Sequence, residues 1–252
     1  MKENFTVHSD YQSMASDLKK SLDGFAQNPD YVVKGERNVI KKIELQNSVY
    51  NIKKFKTPSF FQGLVYRFLR KSKAKRSFEY AKKLIELQIG TPFPVAFLER
   101  FSGGLKESFY ISKHLEYDFD FRVLNHNPLF PHRNEILRQA AGFSYQLHEN
   151  GINFLDHSPG NTLIVDQKNG VFDFYLIDLN RMRFESLDFN TRMRNLRRLW
   201  LSKTMIKVMS KEYAARYGKT YEETHALMTK YSRAFQKKVN SKKLRRRRKS
   251  KN

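Results

Sequence analysis

Cysteine is missing from the chain altogether. Its absence excludes disulfides, thiolate-held metals and a cysteine nucleophile. No apolar run approaches the length of a membrane span. The opening residues, MKENFTVHSD, hold no apolar stretch of the kind a leader peptide needs, so no secretory signal is expected and a cytoplasmic protein is. Acidic residues are scarce: 25 Asp and Glu stand against 48 Lys and Arg, a formal net charge of +23.

Apolar residues make up 40% of the 252 and aromatics 14%, which argues for a folded protein with a real core, as one large domain or two small ones. The positive charge is partly local. Residues 237–252 carry ten basic side chains and no acid, leaving about +13 for the rest. A basic body and a basic end favour polyanionic partners: nucleic acid, an acidic membrane face or a phosphorylated substrate. Two readings of the tail stay open, a solvated end or an anchor.

Residues 1–28 are polar and weakly patterned, and read as an extension. From Tyr31 the pattern predicts an antiparallel meander: strands at 31–34, 39–45 and 49–55, with a turn at 35–38 and a break at 47–48. Amphipathic helices follow at 60–70 and 73–88, with Gly90 as the cap. Strands at 95–101 and 108–115 hinge at Gly103-Gly104, and residues 116–120 cross to a mostly helical region. There a helix over 134–149 buries Ile136, Leu137, Ala140, Ala141, Phe143, Ser144 and Leu147. Asn169-Gly170 turns a strand at 162–165 into one at 172–177. Three basic, helix-like stretches end the chain, and there is no internal repeat.

Between that helix and that hairpin lies LHENGINFLDHSPGNTLI, residues 147–164, with Asp156, Pro159 and Asn161 in one short loop. The stretch resembles the protein-kinase signature L-H-x-x-G-I-x-H-R-D-x-x-P-x-N: Leu147, His148, Gly151, Ile152, Asp156, Pro159 and Asn161 fall on it without a gap. Seventeen residues after Asn161, Asp178 occupies the place of the metal-binding aspartate of Asp-Phe-Gly. Upstream, Ile52-Lys53 is similar to the strand-three lysine motif, and Glu79 lies in the helix where that family keeps the lysine's partner. The resemblance implies an α+β, protein-kinase-like, two-lobed fold: a β-rich ATP-binding lobe with one helix over 29–116 and a helical catalytic lobe over 117–236, followed by the tail.

Phosphoryl transfer asks a protein for positioning and charge neutralisation. The resemblance assigns Asp156 as the base that accepts the hydroxyl proton, Asn161 and Asp178 as hard oxygen ligands for Mg²⁺, and Lys53, oriented by Glu79, as the cation on the ATP phosphates. The hairpin sets Asn161 before its first strand and Asp178 after its second, so both reach one site.

The departures are informative. Phe154-Leu155 replaces the His-Arg of the signature, which suggests no control through a phosphorylated activation loop. Ser158 stands in place of a lysine, Asn180 in place of the glycine of Asp-Phe-Gly, and no Ala-Pro-Glu follows. Gly35 is the one candidate for the glycine-rich phosphate loop. These features point away from protein kinases. The runs 52–58, 70–81 and 147–163 look like the lipopolysaccharide core kinases, which phosphorylate Kdo or heptose sugars. That family implies ATP, Mg²⁺, a lipid A-linked core oligosaccharide as acceptor, and a peripheral place on the cytoplasmic face of the inner membrane. An anionic leaflet suits so basic a chain.

Several alternatives remain at this level. Lys54 rivals Lys53, since neighbours on a strand face opposite sides. Glu86 is the fallback for Glu79. His148 reads as a core histidine and Trp200 as core, while His157 sits beside the base. The cluster 192–198 either binds glycolipid phosphate or is a solvated helix face. A catalytically inactive, kinase-like binding module is the competing function. Specific nucleic-acid binding is not expected, because no recognition signature accompanies the charge.

Overall fold

Tyr50 and Ile52 are buried and alternate with less buried neighbours, which suits a strand with one face in the core, and residues 38–45 and 48–55 fold as antiparallel strands. The computed structural model describes residues 1–36 and 38–249. Arg37, in the expected turn, and the last three residues of the tail lie outside the described residues. The chain divides into two compact units, Met1–Glu116 and Tyr117–Asn252.

The first unit runs β1 (Lys2–Val7), a 3₁₀ turn (Ser9–Met14), α1 (Ala15–Asp23), β2 (Tyr31–Lys34), β3 (Asn38–Leu45), β4 (Ser48–Phe55), α2 (Phe60–Phe68), α3 (Lys73–Glu86), β5 (Pro94–Ser102) and β6 (Gly104–Lys113). Its sheet has the order β1-β5-β6-β4-β3-β2, with every pair antiparallel. One face presents Tyr50, Ile52, Leu98 and Phe109 to Met14, Leu18, Leu22 and Phe25. The other presents Phe55 and Phe97 to Ala74 and Phe78 of α3.

Two expectations need correction here. Residues 1–28 are an integral part of the sheet and its core: β1 pairs with β5 from Lys2↔Phe101 to Val7↔Ala96, and Leu18 and Leu22 are fully buried. The signal was present, because Met14, Leu18 and Leu22 repeat every fourth residue, but the polar residues between them masked it. Lys41 fixes this segment. Its buried ammonium donates to the carbonyls of Phe25 (2.8 Å), Ala26 (3.3 Å) and Asn28 (2.5 Å), just past the end of α1. A cation there also meets the negative end of the helix dipole. The second correction concerns Gly90. Helix α3 ends earlier, and Gln88 takes the left-handed conformation (φ 57°) that ends it.

The second unit runs β7 (Phe119–Asp120), α4 (Arg122–His126), α5 (Arg133–Glu149), β8 (Ile152–Phe154), β9 (Thr162–Asp166), β10 (Phe172–Leu176), β11 (Met182–Phe184), α6 (Phe189–Leu196), α7 (Lys203–Tyr217) and α8 (Tyr221–Lys249). Three 3₁₀ turns, Pro159–Asn161, Leu179–Arg181 and Arg197–Leu199, interrupt it. Helix α5 buries the expected Ile136, Leu137, Ala140 and Ala141 against Met205, Met209 and Tyr213 of α7 and Phe174 of β10; Phe143 is half-buried and stacks on Phe174. Trp200, expected in the core, is half-buried instead. Its left-handed backbone (φ 58°) turns the ring edge-on to Phe235. The basic stretch after residue 236 continues α8 without a break as far as Lys249. No helix among the described residues is long and apolar enough to cross a membrane.

Replacing Lys41 with Met should lower stability by about 2–3 kcal/mol, since it leaves the buried Phe25 carbonyl and the partly buried Ala26 and Asn28 carbonyls without their donor. Chemical denaturation measures the loss. An unchanged midpoint would mean that Lys41 does not hold the N-terminal segment on the sheet.

Candidate active site

Helix α5 cannot run past Gly151, whose φ of 65° turns the chain sharply into β8. A side chain at Gly151 would meet the Glu185 carbonyl at 3.0 Å, so glycine suits this close backbone approach. β8 pairs with β11, Met182 opposite Phe154, and the Leu155 N–H donates to the Arg181 carbonyl at 2.9 Å. This short ladder ties the residue before Asp156 to the segment that follows Asp178.

The loop then closes on itself. The Asn161 amide nitrogen donates to the backbone carbonyl of Asp156 at 2.9 Å. β9 and β10 pair from Asp166↔Phe172 to Thr162↔Leu176, and beyond the last pair the Ile177 N–H donates to the Asn161 carbonyl at 3.0 Å. Asn161 and Asp178 therefore flank the open end of one hairpin. Asp178 adopts a left-handed conformation (φ 59°), one that Asp tolerates better than most residues. Asn180, where protein kinases keep glycine, donates its amide to Asp178 Oδ1 at 2.7 Å.

Two arginines reach Asp156: Arg198 Nη2 lies 2.8 Å from Oδ1 and Arg181 Nη1 3.7 Å from Oδ2. Arg198 Nε is buried with no hydrogen-bond partner. The Arg122 guanidinium lies directly over Gly160. A carboxyl side chain among guanidinium groups makes a site suited to gathering negative charge. Sequence reasoning named Asn180 only as a departure from Asp-Phe-Gly and Arg198 only within the run 192–198, and it did not single out Arg122 or Arg181.

Behind the loop is a buried polar network centred on Asn195 of α6. Its amide nitrogen donates to Asn153 Oδ1 and to the Phe154 carbonyl, each at 2.9 Å. Its oxygen accepts from His157 Nδ1 (3.2 Å) and His148 Nε2 (3.4 Å), which leaves His148 Nδ1 to accept from the Tyr213 hydroxyl at 2.8 Å. Burial pushes His157 down to about 4 and His148 down to about 3, so both are neutral at pH 7. His148 is a core histidine, and so is His157, which faces Asn195 and stacks on Phe154.

In the first unit, Lys53 and Lys54 fall on opposite faces of β4. Lys54 pairs with Glu107, which Arg100 also holds at 3.0 Å, and lies over the Phe109 ring on the α1 side. Lys53 shares the α3 side with Phe55, 5.2 Å from that ring, and is paired across the sheet with Tyr110. Glu79 meets Lys71 at 2.8 Å, so the carboxylate expected to orient Lys53 is paired with Lys71 here. Glu86 is exposed at the end of α3. Gly35 is exposed at the β2–β3 turn, its N–H donating to the Asn38 carbonyl at 3.2 Å.

Among the described residues, no three His, Asp or Glu side chains group as an all-protein metal site. Magnesium takes one or two protein ligands when phosphate and water supply the rest. The Asp178 carboxylate and the Asn161 amide oxygen fit that demand, because the Asn161 nitrogen is committed to Asp156 and its oxygen remains an acceptor.

The family model described as lipopolysaccharide kinase (Kdo/WaaP) matches residues 35–231. The chain belongs to that family. Membership makes it a kinase acting on lipopolysaccharide, and a kinase family implies use of ATP. No match is found among curated protein sequences. Among solved structures, WaaP in complex with acyl carrier protein aligns with a TM-score of 0.66 at 16% identity, covering 93% of this chain and 98% of that one. At that identity the likeness is one of fold, and it bears out the expected kinase-like α+β architecture.

Two outcomes test the Asn195 network. Asn195→Ala leaves several buried groups unpaired and should cost about 2–4 kcal/mol in chemical denaturation; a loss under about 0.5 kcal/mol would contradict it. The histidines set a pH dependence. Their folded pKa values lie below the unfolded value near 6.5, so the unfolded chain takes up protons first as pH falls. Their contribution is intact above about pH 6.5 and is lost toward pH 4, on the order of 2 kcal/mol per histidine by pH 5. The fall in melting temperature from pH 7.5 to 5 should be shallower for His157→Gln than for wild type, and equal slopes would exclude this role.

Proposed function

We propose that the protein is an ATP- and Mg²⁺-dependent kinase that phosphorylates a hydroxyl of an inner-core sugar, Kdo or heptose, on a lipid A-linked acceptor. The observation that carries the reading is the hydrogen-bonded closure of one loop and one hairpin around Asp156, Asn161 and Asp178. Asp156 accepts the proton of the acceptor hydroxyl as its oxygen attacks the γ-phosphorus and ADP departs. Arg198 and Arg181 keep that carboxylate oriented. Asn161 and Asp178 are the residues to hold Mg²⁺, which when bound neutralises phosphate charge. Lys53 is the cation for the phosphates; its side of β4 supports it over Lys54, which Glu107 occupies. Glu79 is the candidate to orient it, which requires release from Lys71. Gly35, at the β2–β3 turn, is the backbone candidate for phosphate contact. The positive charge supports action at the cytoplasmic face of the inner membrane.

The competing reading, an inactive binding module, draws support from the single glycine of the β2–β3 turn. Transfer of label from [γ-³²P]ATP to Kdo-bearing lipid A decides between them. Wild type should label the lipid. Asp156→Ala and Asp178→Ala should each lose at least about 10²-fold in rate, with circular dichroism unchanged. Turnover near wild type in either variant would remove that residue from the mechanism, and no labelling by wild type would favour the binding module.

A further inference from the structure

The sequence left the cluster 192–198 divided between a phosphate site and a solvated face. The two ends of that cluster do different things. Arg192 is used internally, paired with Glu149 and lying over the Tyr217 ring. Arg194 and Arg197 instead turn toward α8. The Arg194 guanidinium sits 5.3 Å from the centre of the Tyr231 ring, and that of Arg197 5.8 Å from that of Phe235.

These rings form the floor of an open groove of about 770 Å³ along α8, continued by Ala234 and Val239. The floor follows from helical spacing: Tyr231, Phe235 and Val239 recur every fourth residue. The same face then changes character, and Lys238, Lys242, Lys243 and Arg246 extend the wall that Arg194 and Arg197 begin. No carboxylate lines the groove, and none of these six cations makes a salt bridge among the described residues. Burial, and then the neighbouring charges of Arg194 and Arg198, depress the Arg197 pKa. Unneutralised cations of one sign, held over an apolar floor, favour a ligand that brings its own negative charge and some apolar surface.

We propose that this groove seats the phosphate-bearing headgroup of a lipid in an anionic bilayer, with Arg194 and Arg197 on the phosphate and Phe235 against the glycerol or sugar backbone. The ligand class follows from the lining: the cations fit phosphate, the aromatic and aliphatic floor fits the apolar part of an amphiphile, and the basic helix beyond it fits a charged surface. The proposal deepens the membrane-facing reading above by giving it a site. It also explains the division of the cluster. Arg197 and Arg198 are successive residues against the same Phe235 ring, and Arg198 reaches Asp156. The groove and the candidate base thus share a wall.

Flotation of the full-length protein with phosphatidylcholine vesicles containing 20% phosphatidylglycerol, without nucleotide, tests it. Arg194→Glu/Arg197→Glu and Lys242→Glu/Arg246→Glu should each weaken binding roughly 25-fold or more, from about fivefold per cation. Phe235→Ala should weaken it with no change in charge. Lys207→Glu/Lys211→Glu makes the same charge change on exposed positions of α7 outside the groove, and should cost much less. Equal losses in the groove and α7 variants would mean that bulk charge binds the vesicles, and overturn the proposal. So would groove variants that keep wild-type binding, the result expected if the groove takes an acidic protein instead. Asp156→Ala should float like wild type, so a failure of the catalytic reading and a failure of the groove are told apart.

Discussion

The Asn195 carboxamide stands at the point where α5, β8, the catalytic-type loop and α6 meet, and all four of its polar contacts are spent on them. It donates to Asn153 and the Phe154 carbonyl, and it accepts from two neutral histidines. Because these groups are buried, each unmet contact costs more than a met one contributes. The loop carrying Asp156 is therefore held in one position from behind, with no bound ligand required. The β8–β11 ladder and the Asn161–Ile177 hydrogen bond then carry that position to Asp178.

Charge completes what the hydrogen bonds begin. Asp156 lies between Arg198 and Arg181, which come from segments distant in sequence. Protein kinases keep a histidine and an arginine just before the base. Here Phe154 and Leu155 take those places, with Phe154 buried and Leu155 bonded through its backbone, and guanidinium groups reach Asp156 from after the hairpin instead. The pattern suits a chain that works on anionic material throughout, from ATP to a glycolipid acceptor.

Local sequence carried the site's backbone well and its surroundings poorly. The gapless run from Leu147 to Asn161, with Asp178 seventeen residues later, was legible because loop and hairpin are contiguous and their spacing is fixed by geometry. The strands and helices from Tyr31 to Lys113, and the helix that ends at Glu149, were legible from their periods, with shifted ends where a residue such as Gln88 took a conformation usually left to glycine; the short β7 and α4 between them were not read. Arg198, Arg181 and Asn195 were not legible as neighbours of the loop, since nothing in their own windows says where α6 will pack. The pairing of Lys54 with Glu107 was not legible either, because Glu107 lies on another strand. Residues 1–28 were missed because only a few apolar residues anchor them, and the buried cation that holds them, Lys41, looks like any other strand lysine.

The central claim is that Asn161 and Asp178 form one metal-assisted nucleotide site. Titration of fluorescent ATP, with and without Mg²⁺, into wild type, Asn161→Ala and Asp178→Ala addresses it most directly. The account predicts that Mg²⁺ tightens nucleotide binding to wild type by at least about tenfold, roughly 1.4 kcal/mol, and that either substitution abolishes the effect. Equal tightening in all three proteins would contradict it.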